Sequence, residues 1–401
     1  MFGQTGFRLV SAPTFLPAYL FMLSGSDFAV GLARSLQAAG TIATPMIGAS
    51  LIAHRSKILG ITLASSALMR LQILGLALVG FFAGAGAAVP AIIVFLALMG
   101  TFQGIAQVTM NSLRAKVIPI HRRGIVGGAR NFLAGLTSAA VSYAAGAYLI
   151  DGDVLGNGYA SVFLLAFGVT SIGLVALVFT AEPKSLSVRG RESIFETFKA
   201  VGPILRAQDD FRRFFVARAL ASAGRMALPF YILFAGTRME LTGTVLGVLT
   251  TVWMLTSSTA NLGWGLLADR HGYKIVMLVT LACWIASHVQ LLFVEGFAGI
   301  ATFFVLMGAA SGGFNQSAQN MVLEFGRFED IPIRLAASGS AVNLIATVGP
   351  VLGGAVVALL GYIELFVLTI LLQAIAFAIM AVSVPDPRRA RGGKRGGAND
   401  A

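Results

Sequence analysis

The sequence predicts an all-α membrane protein with twelve transmembrane helices in two pseudo-symmetric six-helix bundles. Three observations support this prediction: the composition, the length of the apolar runs and an internal repeat. Of the 401 residues, 57% are hydrophobic and only 11% are charged, and the mean hydropathy is +0.83. Soluble domains carry about 25% charged residues, so most of these side chains must face lipid or one another.

The apolar runs are long enough to cross a lipid bilayer as helices. About 20 residues are needed for a hydrocarbon core of about 30 Å, and runs of that length recur from end to end. They lack the short alternating pattern of membrane β-barrels. The twelve predicted helices cover approximately residues 6–23, 28–53, 58–82, 89–113, 124–149, 159–180, 212–234, 243–267, 274–293, 298–323, 332–359 and 363–384.

An internal repeat relates the two halves. Its matches follow one another in chain order at nearly constant offsets of 208 to 215 residues: Leu16-Pro17 with Leu228-Pro229, Gly48 and Arg55 with Gly263 and Arg270, Gly100 and Gly104 with Gly308 and Gly312, and Asn131 with Asn343. Parallel halves of this kind place a substrate site between them near mid-membrane. We therefore predict an N-terminal bundle over 1–183, a cytoplasmic linker with an amphipathic helix over 184–211, a C-terminal bundle over 212–384 and a disordered basic tail over 385–401.

Charged residues at the helix ends predict the orientation. Basic residues follow helices 2, 4, 6, 8 and 10, whereas the opposite loops are acidic apart from Arg238. The positive-inside rule places both termini in the cytoplasm, in a multi-pass protein of the cytoplasmic (inner) membrane. The net charge of +12 follows from this topology, so we expect no nucleic-acid partner. Almost nothing precedes Gly6, which favours a natural start upstream of Met1.

The chain carries no pattern typical of an enzyme. Its single cysteine, Cys283, excludes internal disulfides and cysteine-based metal sites. No phosphate-binding glycine loop, nucleophile triad or metal-ligand spacing is present. We expect no catalytic residue, no cofactor and no metal.

Two stretches resemble the major facilitator superfamily, and the resemblance covers essentially the whole chain. The stretch GWGLLADRHGYK, expected to be a tight loop, includes Gly265, Asp269, Arg270, Gly272 and Lys274 and is similar to that family's cytoplasmic signature between helices 8 and 9. Residues 332–354 are similar to its helix 11. The resemblance implies a secondary active transporter that moves a small-molecule substrate by alternating access, and we expect it to act as a monomer in the lipid bilayer.

The sequence departs from the family pattern at several positions. Tyr273 stands where the signature has a second arginine, and His54 stands where the first-half copy has an acid. Helix 5 lacks the glycine-proline motif of drug/proton antiporters, and helix 1 lacks the carboxylate that is common in such exporters. These last two departures argue against proton-coupled drug export. A co-transported proton is still considered, with His288 as a titratable candidate and a packing role for His288 as the competing interpretation.

Polar side chains inside the spans are the candidates for substrate binding, because a charge there costs about 2.5–3.5 kcal/mol on insertion scales. Arg34 and Arg225 lead, Arg70 is a third, and no Asp or Glu lies deep in any predicted span. Guanidinium groups without a counter-acid favour an anionic or amphipathic solute. The alternative is that these arginines snorkel or bind backbone carbonyls.

Amides form two further candidate groups at matching levels of the repeat. These are Gln103, Gln107 and Asn111 in helix 4, Asn315 and Gln319 in helix 10, and Asn343 in helix 11. Spacing of four residues puts each stripe on one helix face, as the walls of a wet cavity require. The alternative is interhelical hydrogen bonding that only holds helices together.

The resemblance also implies that loop 8–9 lies beside the start of helix 5 and loop 2–3 beside the start of helix 11. Two cytoplasmic latches of opposite polarity follow as a hypothesis. One pairs Asp269 with His121, Arg122 and Arg123, and the other pairs His54 and Arg55 with Glu329 and Asp330. In the competing interpretation, His54 is a motif position that has lost its role.

Two other functions are weighed against solute transport. Proton-coupled multidrug efflux predicts transport of lipophilic cations, which an arginine-rich interior repels. A non-transporting membrane scaffold or assembly factor predicts a dry interface between the halves.

Overall fold

A computed structural model describes residues 1–119, 122–183, 202–325 and 331–386. These residues form helices and no strands. Eleven helices in this part of the chain are long and apolar enough to cross a membrane, and a bent pair within α7 makes twelve. The predicted fold class is confirmed. The helices are α1 (Phe2–Ser11 and Phe15–Ser24), α2 (Asp27–Ala53), α3 (Leu59–Phe82), α4 (Ala85–Val117), α5 (Arg123–Ala144, extended by Ala145–Ile150), α6 (Gly158–Val178), α7 (Asp209–Ser222 and Phe230–Arg238), α8 (Gly243–His271), α9 (Tyr273–Phe293), α10 (Gly296–Glu324), α11 (Ile331–Leu359) and α12 (Tyr362–Ala378, extended by Ile379–Ser383).

The first helix of each half is broken at an equivalent place. α1 is interrupted between Ser11 and Phe15, and α7 passes through a 3-10 turn over Ala223–Ala227 and bends by 44°. Pro17 and Pro229 follow the two breaks at the repeat offset of 212 residues. Proline lacks an N–H and its ring clashes with the carbonyl four residues earlier, so the sequence repeat produces a repeated break.

Glycines bring the second and fourth helices of each half into close contact. A Cβ on Gly104 in α4 would lie 2.0 Å from the hydroxyl oxygen of Thr44 in α2. A Cβ on the equivalent Gly312 in α10 would lie 3.1 Å from the carbonyl oxygen of Ser257 in α8. Small residues permit such approaches between membrane helices, and the repeat preserves them in both halves.

The signature stretch is mostly helical, so the expectation of a tight loop from Gly263 was wrong. α8 continues to His271 and carries Asp269 and Arg270 in its last turn, and α9 begins at Tyr273. Gly272 alone connects them, with a φ of 87°, a left-handed conformation that glycine adopts without steric cost. The glycines at 263 and 265 do not end the helix, because each glycine within a helix costs only about 1 kcal/mol relative to alanine.

Contacts divide the chain into two compact units. Unit 1 comprises Met1–Glu192, Met226–Leu255 and Ala346–Tyr362, and unit 2 comprises Ser193–Arg225, Thr256–Ile345 and Ile363–Ala401. Unit 1 therefore holds the first six helices together with the end of α7, the start of α8 and the end of α11. Most of the predicted linker helix (184–201) and the tail (387–401) lie outside the described residues, so the division into two bundles, linker and tail stays a prediction.

Candidate functional site

Arginines without a carboxylate partner lie inside the membrane-spanning helices. The described residues make two ion pairs, Lys116–Glu182 and Arg212–Asp209. Neither pair involves seven of the arginines that lie within the spans: Arg8 in α1, Arg34 in α2, Arg70 in α3, Arg114 in α4, Arg130 in α5, and Arg218 and Arg225 in α7. The part of the chain that the structure describes thus holds an excess of positive charge within its helices.

Two of the predicted arginines bind backbone carbonyls. Arg34 donates to the carbonyl oxygen of Ala12 at 2.9 Å, at the α1 break, and to Oε1 of Gln37 at 3.1 Å. Arg70 donates from Nε to the carbonyl oxygen of Thr170 at 2.9 Å and is 6% exposed. Both contacts agree with the alternative interpretation, in which the guanidinium groups bind backbone carbonyls instead of a substrate. A substrate role for Arg34 stays a prediction.

The third arginine contacts a predicted amide. Arg225 lies in the turn that breaks α7, and its Nη2 donates to Oδ1 of Asn315 in α10, both within unit 2. Asn315 and Gln319 are both exposed, one turn apart on α10, whereas Asn343 in α11 is half-buried. The structure therefore joins a predicted cation to one predicted amide stripe.

A pocket of about 590 Å³ lies within unit 1, among α1, α3, α4, α5 and α6. Gln107 and Asn111 of the first amide stripe are exposed on α4, as the walls of a wet cavity require. The polar lining includes Gln4, Arg70, Gln103, Gln107, Asn111, Arg114 and Arg130. The volume suits a small organic molecule. The first amide stripe and the guanidinium groups of Arg70, Arg114 and Arg130 all line this one pocket.

Two arginines of the pocket were missed as candidates by the sequence analysis. The predicted helix 4 ended at residue 113, whereas α4 continues to Val117 and includes Arg114. Arg114 Nη1 donates to Asn111 at 3.3 Å. Arg130 Nη2 donates to Asn131 at 3.2 Å, and its Nε is buried without a hydrogen-bond partner. The available signal was that Arg114 follows the amide stripe by three residues, which keeps it on the same helix face.

His288 has the contacts of a packing residue. Its side chain is fully buried, and its Nδ1 lies 3.0 Å from Oε1 of Gln373 in α12. The ring stacks on Trp284 with a centroid distance of 6.4 Å. Gln373 in turn packs against Gly224, where a Cβ would lie 2.2 Å from its amide nitrogen. His288 therefore contacts the α7 break indirectly, through Gln373.

Within unit 1, hydrogen bonds join the two sequence halves at the end that the charge pattern predicts to be extracytoplasmic. Asp151, just after α5, accepts from the backbone N–H of Gly243 at 2.5 Å and of Thr244 at 2.8 Å, and from the Thr244 hydroxyl at 2.5 Å. The Tyr362 hydroxyl donates to the Asp27 carboxylate at 2.6 Å. Asp151 thereby caps the first two amides of α8, and Thr242 Oγ1 accepts from the third, that of Val245, at 3.2 Å.

The capping contacts keep Asp151 ionised. Burial by itself would raise the pKa of this carboxyl, but the hydrogen bonds from the Thr244 hydroxyl and from the Thr244 and Gly243 amides outweigh it and hold the pKa below its usual value. The positive end of the α8 dipole favours the same charged form. At neutral pH the cap is therefore a carboxylate.

A second carboxylate caps a helix at the opposite end of unit 1. Glu182, beyond α6, accepts from the backbone N–H of Ile58 at 2.8 Å and of Leu59 at 2.9 Å, and from Lys116 Nζ at 2.6 Å. Its side chain is 3% exposed. Burial alone would raise the pKa of Glu182, but the hydrogen bonds from Lys116 and the two amides outweigh it and lower the pKa. This residue ties α3, α4 and α6 together.

The latch residues are described one by one, and their pairing stays a prediction because each pair would join the two units. Asp269 and Arg270 are exposed at the end of α8, and Lys274 donates to the carbonyl oxygen of Ala381 at 3.2 Å. The first-half partners His54, Arg55 and Arg122 are also exposed. Outside the described residues lie His121, Glu329, Asp330 and the side chain of Arg123.

Comparison with known proteins gives one family and a set of similar folds. A sequence model described as Major Facilitator Superfamily matches residues 214–399. Comparison with curated protein sequences gives no match. Among solved structures, a mutant of the nucleoside transporter NupG is 13% identical with a TM-score of 0.76, covering 95% of this chain and 97% of that one. A D-xylose-proton symporter is 14% identical with a TM-score of 0.68, covering 96% and 97%.

Proposed function

We propose that this chain belongs to the major facilitator superfamily, whose sequence model matches residues 214–399, and that it is a secondary active transporter of a small anionic organic solute. Its fold is similar to those of a nucleoside transporter and a D-xylose-proton symporter. It would act in the cytoplasmic membrane with both termini in the cytoplasm, the orientation that the positive-inside rule favours.

The observation that supports an anionic solute is the set of seven arginines without carboxylate partners. Each charge held within a span costs about 2.5–3.5 kcal/mol on insertion scales. Backbone carbonyls satisfy Arg34 and Arg70, so the argument for an anion depends on arginines such as Arg225, whose Nη2 donates to a side-chain amide. A guanidinium fork matches the oxygens of carboxylate and phosphate groups. Arg225, half-buried at the α7 break and hydrogen-bonded to Asn315, is the residue of unit 2 best placed to bind such a group.

The contacts between sequence halves support alternating access. In unit 1, Asp151 binds the start of α8 and Asp27 binds Tyr362 at the start of α12. A path to the extracytoplasmic side would require both contacts to break. A transporter that moves solute across the membrane therefore needs a second state without them.

The two alternatives have less support. Lipophilic cations, the usual cargo of proton-driven drug exporters, would be repelled by the arginines. A scaffold needs no pocket of about 590 Å³ lined by amides and guanidinium groups. A transporter of anions uses both features.

Uptake into proteoliposomes tests the proposal. Purified protein would be assayed with a panel of radiolabelled mono- and dicarboxylates, organic phosphates and a lipophilic cation. We expect Arg225→Gln to reduce anion uptake at least tenfold. The matched control is Arg212→Gln in the same helix, whose side chain is 49% exposed and pairs with Asp209; we expect uptake within about twofold of wild type. Unchanged anion uptake in folded Arg225→Gln, or uptake of the cation alone, would overturn the proposal.

A further inference from the structure

We propose that the pocket in unit 1 is an oxyanion subsite in which Arg114 and Arg130 bind a doubly charged group, either a phosphate or a pair of carboxylates, of the transported solute. The inference rests on the proposed function, because it names the charge and the position of the group that an anionic solute would present. It also identifies two binding residues beyond those predicted from the sequence.

The donors of the two arginines are incompletely used. Arg114 donates one N–H to Asn111, and Arg130 donates one to Asn131. A guanidinium has five N–H donors, and Arg130 Nε is buried with no hydrogen-bond partner. Buried donors are almost always paired in folded proteins. A bound oxyanion would supply the missing acceptors.

The charges in and beside the pocket are uncompensated. Arg130 lies near enough to both Arg114 and Arg8 for its charge to act on each of them. No carboxylate is among the residues that line the pocket. Like charges repel, so two guanidinium groups without a carboxylate partner in the pocket favour a ligand that carries two negative charges over one that carries a single charge.

The hydrogen bonds of the three arginines in the pocket explain why Arg114 and Arg130, and not Arg70, bind the anion. Arg70 also lines the pocket, but its Nε and Nη1 donate to the carbonyl oxygens of Thr170 and Ser66. Its guanidinium is thereby committed to joining α3 to α6. Arg114 and Arg130 have no backbone carbonyl among their hydrogen-bond partners in the described residues.

The rest of the wall fits an organic body attached to that group. Phe7, Met69, Met110 and Leu177 supply apolar surface. Gln107 is exposed on α4, one turn before Asn111, where its amide could bind a hydroxyl or carbonyl. The site therefore suits a dianionic metabolite with a small, partly polar carbon skeleton.

Cysteine labelling tests the charge of the pocket without knowledge of the solute. Met110→Cys would be introduced into a Cys283→Ala background, which removes the single native thiol. Labelling rates would be compared for a negatively charged and a positively charged methanethiosulfonate of similar size. We expect the ratio of the anionic to the cationic rate to fall at least tenfold in Arg114→Gln/Arg130→Gln. We expect Arg114→Lys/Arg130→Lys, which keeps both charges, to retain most of the ratio.

Protection of the same cysteine identifies the ligand class. Succinate or inorganic phosphate should slow labelling of the wild-type pocket, and acetate should not. Protection only in vesicles that contain phosphatidylglycerol, and not in phosphatidylcholine vesicles with added succinate or phosphate, would assign the site to a lipid headgroup and overturn the subsite.

The two proposals fail separately. If the labelling ratio is the same with and without the two arginines, the subsite is wrong even where anion uptake still depends on Arg225. If succinate or phosphate protects the cysteine but no anion is taken up, the subsite stands and the transport proposal fails. Gel filtration of the Lys and Gln variants would show that each is folded.

Discussion

Two carboxylates cap helices at opposite ends of unit 1, and they differ in what they join. Glu182 follows α6, binds the start of α3 and forms an ion pair with Lys116 of α4. These three helices all belong to the first sequence half. Asp151 binds the start of α8 with hydrogen bonds alone, and α8 belongs to the second half. In both cases a carboxylate accepts hydrogen bonds from backbone amides at the start of a helix, which have no partner within the helix.

The difference indicates which contact is permanent. The Glu182 side chain is 3% exposed and its ion pair is protected from water, as suits a tie within one bundle. Asp151 is exposed and has no cationic partner among the described residues. A cap of that kind is weakened by solvent screening, which makes it easier to break during a transport cycle.

The largest expected effect is the loss of the buried tie. Glu182→Gln leaves Lys116 without its counter-charge, and breaking a buried pair costs about 3–5 kcal/mol. We expect unfolding in detergent to become easier by about 3 kcal/mol, measured by denaturant titration. The double variant Glu182→Gln/Lys116→Met should recover part of this loss. Equal stability of the single and double variants would contradict an ion-pair role.

Breaking the other cap should change conformation and leave stability intact. Asp151→Ala removes three hydrogen bonds to α8, and we expect this contact between the sequence halves to open about tenfold more often, equivalent to about 1.4 kcal/mol. The measurement is external labelling of Thr250→Cys in a Cys283→Ala background, because Thr250 is fully buried. Glu182→Gln is the matched control. Faster labelling in the control than in Asp151→Ala would reverse the assignment.

The pH dependence should be the same in sign for both caps and absent near neutrality. The lowered pKa of each carboxyl stabilises the folded state fully above its unfolded pKa, about 4, and this stabilisation is lost as the pH falls through the lowered folded value. We therefore expect the stability difference between wild type and Glu182→Gln to be constant from pH 5 to 8 and to shrink below about pH 4. Labelling of Thr250→Cys should likewise be flat from pH 6 to 8. A slope in that range would make Asp151 a proton sensor.

The smallest expected effect comes from one hydroxyl. Thr244→Val removes the side-chain hydrogen bond to Asp151 and keeps both backbone bonds. A single hydrogen bond contributes about 0.5–1.5 kcal/mol, reduced here by solvent exposure. We expect labelling of Thr250→Cys to rise about twofold to threefold, between wild type and Asp151→Ala. A rise as large as that of Asp151→Ala would mean that the backbone bonds contribute little.

The helices and their breaks could be predicted from the sequence because they depend on local properties. Apolar length defines the spans, and Pro17 and Pro229 mark the breaks in α1 and α7. Only some of the residues that line the pocket could be predicted from the sequence. The α4 amides were found from their spacing, but Arg114 was read as a topological charge because hydropathy placed the helix end too early.

The capping contacts could not be predicted, for a different reason. Asp151 and Thr244 are 93 residues apart, and the acceptor binds mainly backbone N–H groups, which are present at every non-proline residue. No side-chain pattern marks such a pair. The distribution of charged residues assigned Asp151 to an outer loop but contained no information about the helix that it caps.

α8 is one continuous helix from Gly243 to His271. Its first residue, Gly243, meets the Asp151 carboxylate, and its last turn carries Asp269 and Arg270 of the family signature. With 29 residues at 1.5 Å each, it measures about 43 Å. Because the helix is continuous, we expect a change in the contact at Gly243 to affect the last turn. Inserting a flexible Gly-Gly step near its middle would uncouple the two ends.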